Sequence, residues 1–427
     1  MGTSLSHIPS FKRNAIGGVV GNALEWYDFA LFGYFAPVIG TLFFPSDDAT
    51  ASTIKAFGVF AAGYLMRPLG GIIFGHLGDR LGRKRALEVS VIMMALPTTA
   101  IGLVPTHAAI GIAAPVILIL LRLVQGVSVG GEFVGSVSFV TEIAPPERRG
   151  FLGSLALTSS NTGIMLGSAV ATVAHGLLGE ATLDAWAWRI PFLLGMVIGL
   201  FGLWLRTGLT ETPPFEQIRQ AGKIHRNPVM DVVRTMPGSV VRLAVVLFFF
   251  AGGFYALFVW WPIYLTKMLK PSVPHALLVN TIAICVLIAL EPVAGWLSDI
   301  IGHQKVLAAG LLTMALVAYP LTVWTDMAQF SAALIAQVLF AIIVCAANAP
   351  IGAVMAEMFP TQNRYSGIAI SYNVTLGVVG GTAPLVCTWL TSTTGDMSAP
   401  AYYLIAMAGL SLTAVLGVRL SHREQLG

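Results

Sequence analysis

Six ionisable side chains, Glu25, Asp28, Arg67, Arg122, Glu132 and Glu291, stand inside long apolar runs of the chain. In a membrane interior each costs roughly 2.5–3.5 kcal/mol to insert, so each requires a partner or a task. A carboxylate there can carry a proton, and an arginine can hold a solute carboxylate through a planar fork of N–H groups. Asn22, Glu25 and Asp28 recur at every third residue, within about 120° of one helix face. Arg122, Gln125, Glu132 and Ser136 share a second stripe about 80° wide. Arg122 and Glu132 are about 15 Å apart along such a helix, too far to pair with each other. Five of the six charges fall in the first half. Charge chemistry is therefore expected there, with shape and neutral polar contacts from the second half.

The elements that must position these groups follow from composition. Of 427 residues 56% are hydrophobic and 10% charged, with mean hydropathy +0.80. Soluble domains carry roughly 25% charged residues, so a soluble enzyme, a disordered chain and a nucleic-acid binder are all excluded. The sequence reads as an all-α membrane protein. Apolar runs lie at about 15–37, 54–75, 87–105, 113–141, 151–178 and 189–207, and again at about 241–266, 276–298, 306–325, 330–357, 366–392 and 400–419. That predicts twelve transmembrane helices in two six-helix halves, 15–207 and 241–419, since about 20 apolar residues make one span. Residues 1–14 and 420–427 are the terminal segments, and the proline-rich stretch 208–240 is a linker with room for a surface helix. The first run is too long for a signal-peptide core and is read as retained. With both termini cytoplasmic, 18 of the 24 Lys and Arg fall on the inner side against four outside, which sets the orientation. Cys285, Cys345 and Cys387 show no metal or disulfide spacing and are read as packing residues.

The halves repeat. Gly75-His-Leu-Gly-Asp79-Arg-Leu-Gly82-Arg83-Lys84-Arg85 follows the second run, and Gly295-Trp-Leu-Ser-Asp299-Ile-Ile-Gly302-His303-Gln304-Lys305 follows the eighth, 220 residues later. Glu142-Ile-Ala-Pro-Pro-Glu-Arg148-Arg149-Gly150 is matched in the same way by Glu357-Met-Phe-Pro-Thr-Gln-Asn-Arg364-Tyr-Ser-Gly367. Corresponding motifs in two six-helix halves are the mark of a parallel-repeat transporter, with its site near the midplane between halves.

The Gly-x-Leu-x-Asp-Arg-x-Gly-Arg-Lys-Arg loop resembles the signature loop of the major facilitator superfamily. Gly21-Asn22-Ala-Leu-Glu25-Trp26-Tyr27-Asp28-Phe29, Leu65-Met-Arg67-Pro68-Leu-Gly70-Gly71, Arg122-Leu-Val-Gln125-Gly126-Val-Ser-Val-Gly130-Gly131-Glu132 and Trp188-Arg189-Ile-Pro191-Phe192 look like its metabolite–proton symporter family. That resemblance covers nearly the whole chain. It implies coupling to protons and a solute such as citrate, alpha-ketoglutarate, shikimate, proline or betaine.

In the superfamily fold spans 1 and 4 line the cavity, so Arg122 is expected to meet Glu25 or Asp28. Either Arg122 clamps a solute carboxylate while one of these acids loads the proton, or they form a permanent ion pair closing the bundle. The candidate solute contacts are Asn22, Tyr27, Arg67, Arg122, Gln125, Tyr255, Asn348 and Asn373. The candidate proton carriers are Glu25, Asp28, Glu132 and Glu291. Asp79, Arg83 and Glu142 resemble the family's cytoplasmic charge latch, and Asp299, Glu357 and Arg364 its second copy.

Three departures from the family pattern stand out. His303-Gln304-Lys305 replaces an Arg-rich turn and is expected to weaken the second latch. Glu25-Trp26 differs from the Glu-Gln of citrate carriers, and the chain ends without the long C-terminal coiled coil of some osmosensing betaine carriers.

Aromatics of spans 1 and 7, among them Trp26, Tyr34, Phe254, Trp260, Trp261 and Tyr264, either stack on a quaternary ammonium or pack. No metal spacing or Walker motif occurs in the sequence, so ATP is not the expected energy source; the resemblance implies the proton as the coupling ion, and no cofactor is expected. The reading is a proton-driven symporter of a small organic acid, monomeric, in a bacterial inner membrane. A proline or betaine carrier is the same-fold alternative. An enzyme, a receptor or a channel fits less well.

Overall fold

In lipid every backbone polar group must be satisfied within its own segment, which leaves a chain this apolar little choice but helix. The computed structural model is 88% helix and has no strand among the described residues. These are residues 9–47, 49–178, 182–222, 227–265, 269, 273, 275–325, 327 and 329–418. Most of the N-terminal segment 1–14 and all of the tail 420–427 lie outside them. Nine helices among the described residues are long and apolar enough to cross a membrane. The chain divides into two compact units, residues 1–143 with 159–228, and residues 144–158 with 229–427.

The first unit holds α1 (Pro9–Tyr34), α2 (Ala36–Phe43), α3 (Ala49–Leu65), α4 (Arg67–Leu81), α5 (Arg83–Leu103), α6 (His107–Ile110) and α7 (Ala113–Ile143). It also holds most of α8 (Arg149–Leu178), then α9 (Arg189–Thr207) and α10 (Pro213–Gln220). Backbones come close where glycines remove the side chain. A Cβ at Gly130 would lie 2.6 Å from the Arg67 carbonyl oxygen, so α7 can press against α4 only because that position is bare. Tyr27, Phe32, Phe35, Trp188 and Phe192 fill the apolar core of this unit.

The second unit holds α11 (Pro228–Thr235), α12 (Pro237–Phe248), α13 (Trp261–Ile263), α14 (Ala276–Ile301), α15 (His303–Thr325) and α16 (Phe330–Asn348). After these come α17 (Ile351–Glu357), α18 (Arg364–Thr375), α19 (Gly381–Thr394) and α20 (Ala399–Leu416). Wide π turns run through Phe249–Gly253, Tyr255–Trp260 and Leu376–Gly380. Such turns cluster at functional positions, and Gly380 lets the Tyr255 ring approach to 3.3 Å of where its Cβ would stand.

The stretch 208–240 is folded where described. Its helix α10 belongs to the first unit, and α11 belongs to the second.

Candidate functional site

The phase of α1 decides which acid meets Arg122. A Cβ at Gly167 of α8 would lie 3.0 Å from the Tyr27 carbonyl oxygen, and the Tyr27 hydroxyl donates to the Pro191 carbonyl at 2.7 Å. With α1 so rotated, Arg122 Nη1 donates to Asp28 Oδ2 at 2.5 Å and to Gln125 Oε1 at 2.9 Å. Gln125 Nε2 donates onward to Thr98 Oγ1 at 2.8 Å. The guanidinium stands 3.8 Å from the Phe32 ring centroid.

Arg122 and Asp28 are buried, and Arg122 Nε and Nη2 and Asp28 Oδ1 have no hydrogen-bond partner among the described residues. Buried polar atoms left unmade are rare and costly, so this pair retains donors and an acceptor that a solute can engage. Glu25, one turn before Asp28, is also buried, with Oε2 unpartnered among the described residues and within the field of the Arg67 charge.

Two expected solute contacts are occupied otherwise. Tyr27 is held in the core by its bond to Pro191, and Gln125 positions Arg122. Asn22 accepts from Ser136 at 3.3 Å. Arg122→Lys keeps the charge but loses the fork. We expect it to raise the KM for a carboxylate-bearing solute by ~10–100-fold, about one charge-assisted hydrogen bond. Unchanged uptake kinetics in vesicles would remove Arg122 from the site.

Glu132, expected as a proton carrier, is instead locked. Arg206 Nη1 donates to Glu132 Oε2 at 3.1 Å and Nη2 to Oε1, while Ser90 also donates to Oε2. Arg206 further bonds the Leu87 carbonyl at 2.5 Å and the Gly17 carbonyl at 3.2 Å. Gly21 makes room for this pair, since its Cβ would collide with both side chains. Arg206 looked like a loop charge in the sequence and is fully buried.

At the first signature loop the expected trio comes together. Arg83 Nη2 is 3.0 Å from Asp79 Oδ1, Nε is 3.2 Å from Glu142 Oε1, and Nη1 donates to the Gly78 carbonyl at 2.6 Å. Residues 209–220 add contacts to this trio that no local pattern announces. Glu211 accepts from the backbone N–H groups of Arg83 and Lys84 at 3.1 and 3.3 Å, capping α5. Thr212 donates to Glu142 Oε2 at 2.5 Å, and the Phe215 ring centroid lies 5.0 Å from the Arg83 guanidinium. Burial raises the Glu211 carboxyl above its ordinary range, against the opposing pull of its amide donors and of Arg83. Gly82 at φ +108° makes the turn between α4 and α5, a conformation that costs a side-chain-bearing residue strain.

The second unit repeats this knot with different chemistry. Gly302 turns at φ +115°, and His303 links the two acids, at 3.0 Å to Asp299 and 2.9 Å to Glu357. The substitution that was expected to weaken this latch therefore fills Arg83's place. The 220-residue offset pairs the two positions and is the signal that could have found it. Arg364 donates to the Ala356 carbonyl at 2.9 Å and to Thr361 at 2.8 Å. Glu291 is buried beside Cys345. Asn348 Oδ1 is buried without a partner among the described residues, and Asn373 donates to the Ala369 carbonyl of its own helix at 2.9 Å. Tyr255 packs edge-on to Phe254 at 6.0 Å. Among the described residues no group of three metal-ligating side chains forms.

Paired charges buried in apolar helices, with a charge knot at each repeated loop, define a multi-pass membrane carrier. Residues 15–235 match the Sugar (and other) transporter family and residues 243–425 the Major Facilitator Superfamily. The chain belongs to the major facilitator superfamily, in its metabolite–proton symporter group. It is a transporter of the bacterial inner membrane and not an enzyme.

The chain is 35% identical over 413 residues to the Glycine betaine/proline/ectoine/pipecolic acid transporter OusA of Dickeya dadantii, covering 94% of this chain and 82% of that one. It is 32% identical over 409 residues to the Proline/betaine transporter of Escherichia coli K12, covering 92% and 80%. Among solved structures, the proton:xylose symporter XylE bound to 6-bromo-6-deoxy-D-glucose superposes with TM-score 0.80 at 17% identity, covering 98% of each chain. The human organic anion transporter MFSD10 superposes with TM-score 0.66 at 16% identity, covering 96% of this chain and 99% of that one. These two likenesses concern the fold.

Proposed function

We propose that the protein takes up a zwitterionic osmolyte of the proline and betaine kind together with protons, by alternating access. The observation that carries this is the identity of 32–35% to named proline and betaine transporters over at least four fifths of their length. It favours a zwitterion over the organic acid that two buried arginines suggested. A zwitterion still presents a carboxylate to Arg122, while its cation needs the neutralising acids that Glu25 and Asp28 provide. Asp28 is the coupling group, because a solute carboxylate on Arg122 competes with Asp28 for the guanidinium. Asn348, Asn373 and Tyr255 supply the contacts of the second half.

The topology is twelve spans, 15–207 and 241–419 in two sets of six, with both termini cytoplasmic and a monomer as the working unit. The test is uptake of labelled proline, glycine betaine, citrate and alpha-ketoglutarate into vesicles under an imposed proton gradient. Proline or betaine should accumulate and a protonophore should abolish it. Accumulation of citrate or alpha-ketoglutarate alone would return the solute to the organic acids. Dependence on sodium or ATP with indifference to protonophore would sink the coupling.

A further inference from the structure

His303 is buried, with Nε2 3.0 Å from Asp299 Oδ1 and Nδ1 2.9 Å from Glu357 Oε1. An ionised carboxylate only accepts hydrogen bonds, so both ring nitrogens must donate, and the bridge is made by the imidazolium. Asp299 in turn accepts the backbone N–H groups of Gly150 at 2.6 Å and Phe151 at 2.9 Å. These belong to the first turn of α8, where unpaired amides favour a negative charge.

Gly150 sits tightly against α14, since its Cβ would lie 2.5 Å from the Gly295 carbonyl oxygen. The first turn of α8, which belongs to the second unit, is thus held to α14 through the Asp299 carboxylate, and His303 is bonded to that carboxylate. The other charged groups facing this cluster are Arg149, Glu147, Arg364 and Lys305. Arg149 faces Glu357, Glu147 and Asp299, Arg364 is engaged by Ala356 and Thr361, and Lys305 is exposed.

In the first unit the matching residue is Arg83, whose guanidinium makes the same two carboxylate contacts and does not deprotonate in proteins. The bridging cations of the two knots therefore differ in kind: one is permanent and the other can lose a proton.

We infer that His303 is a proton-operated catch, in which the imidazolium holds Asp299 on the amides of Gly150 and Phe151 and deprotonation releases it. When one ring nitrogen gives its proton to solvent, its lone pair faces a carboxylate oxygen about 3 Å away, acceptor against acceptor, without the compensating charge. Asp299 or the ring must then turn, and the two amides lose their acceptor. This holds for whichever solute is carried.

The test is hydrogen exchange at Gly150 and Phe151 in the full chain in nanodiscs, from about pH 6 to about pH 10, a range that spans the ordinary imidazole titration. After correction for intrinsic base catalysis, protection of these amides should fall by roughly tenfold or more with rising pH in the wild type, as local opening grows. His303→Arg should hold protection constant across the range. Glu357→Gln should also flatten it, because the carboxamide can donate to or accept from either form of the ring. It keeps the test decisive if the arginine does not fold. Solute exchange at equal pH on both sides should follow the same midpoint in the wild type and be flat in either variant. An equal fall in wild type and both variants, or no fall in the wild type, overturns the catch.

Discussion

Asp28→Asn is expected to abolish uphill accumulation of solute while leaving exchange at equal pH largely intact. Asparagine matches the carboxylate in size and keeps an oxygen to accept from Arg122, which now donates to Asp28 Oδ2 at 2.5 Å. It cannot load or release a proton. A carrier lacking its coupling group still binds and reorients with solute, so equilibrative exchange survives while the proton gradient does no work on the solute.

Glu25→Gln should behave differently. The spacing of three residues left Glu25 or Asp28 open as the partner of Arg122, and a Glu25 partnership would have made that variant release the arginine into a buried, unpaired state. With Asp28 holding Arg122, Glu25→Gln leaves the pair intact. Counterflow and proton-driven uptake, measured side by side for both variants, decide the assignment. Normal accumulation by Asp28→Asn passes the coupling role to Glu25.

The membrane class, the helical content and the repeated loops were legible because they are properties of composition and of pattern along the chain. The meeting of span 1 with Arg122 was legible too, as a choice between two acids. The choice was not, since Glu25 and Asp28 lie within one face and only the rotation of α1 separates them. That rotation is fixed by Gly167 of α8 and by the Tyr27 bond to Pro191, contacts more than a hundred residues away in sequence.

Arg206 was hidden for a related reason. At the end of an apolar run, before Gly208, its type and place fit a loop charge that obeys the inside-positive bias. Its burial comes from Gly17, Leu87 and Glu132, and no local pattern announces three partners so dispersed. Glu211, Thr212 and Phe215 sat in a proline-rich stretch whose composition reads as connector. What makes them part of the first knot is the shape of α10 against Arg83.

Arg206→Gln should prevent normal folding. Removing one partner of a buried ion pair typically costs about 3–5 kcal/mol, because the other charge stays buried without compensation. Here Glu132 would lose both guanidinium bonds and keep Ser90, and the carbonyls of Leu87 and Gly17 would each lose the Arg206 donor. Gly21→Ala should do similar damage by a separate route, since its methyl would occupy the space of both side chains.

Loss of fold alone does not show what the pair is for, so the informative variant is Glu132→Met with Arg206→Met. Apolar residues of similar volume often replace a buried pair without loss of stability. The double variant should therefore recover monodisperse protein and retain proton-driven uptake, since Glu132 is engaged by Arg206 and Ser90. The measurement is thermal stability by size-exclusion of the single and double variants, followed by uptake from those that fold. A double variant that folds and exchanges solute but no longer accumulates it would restore Glu132 to the coupling path. An Arg206→Gln protein as stable as the wild type would show that the lock contributes little to the first unit.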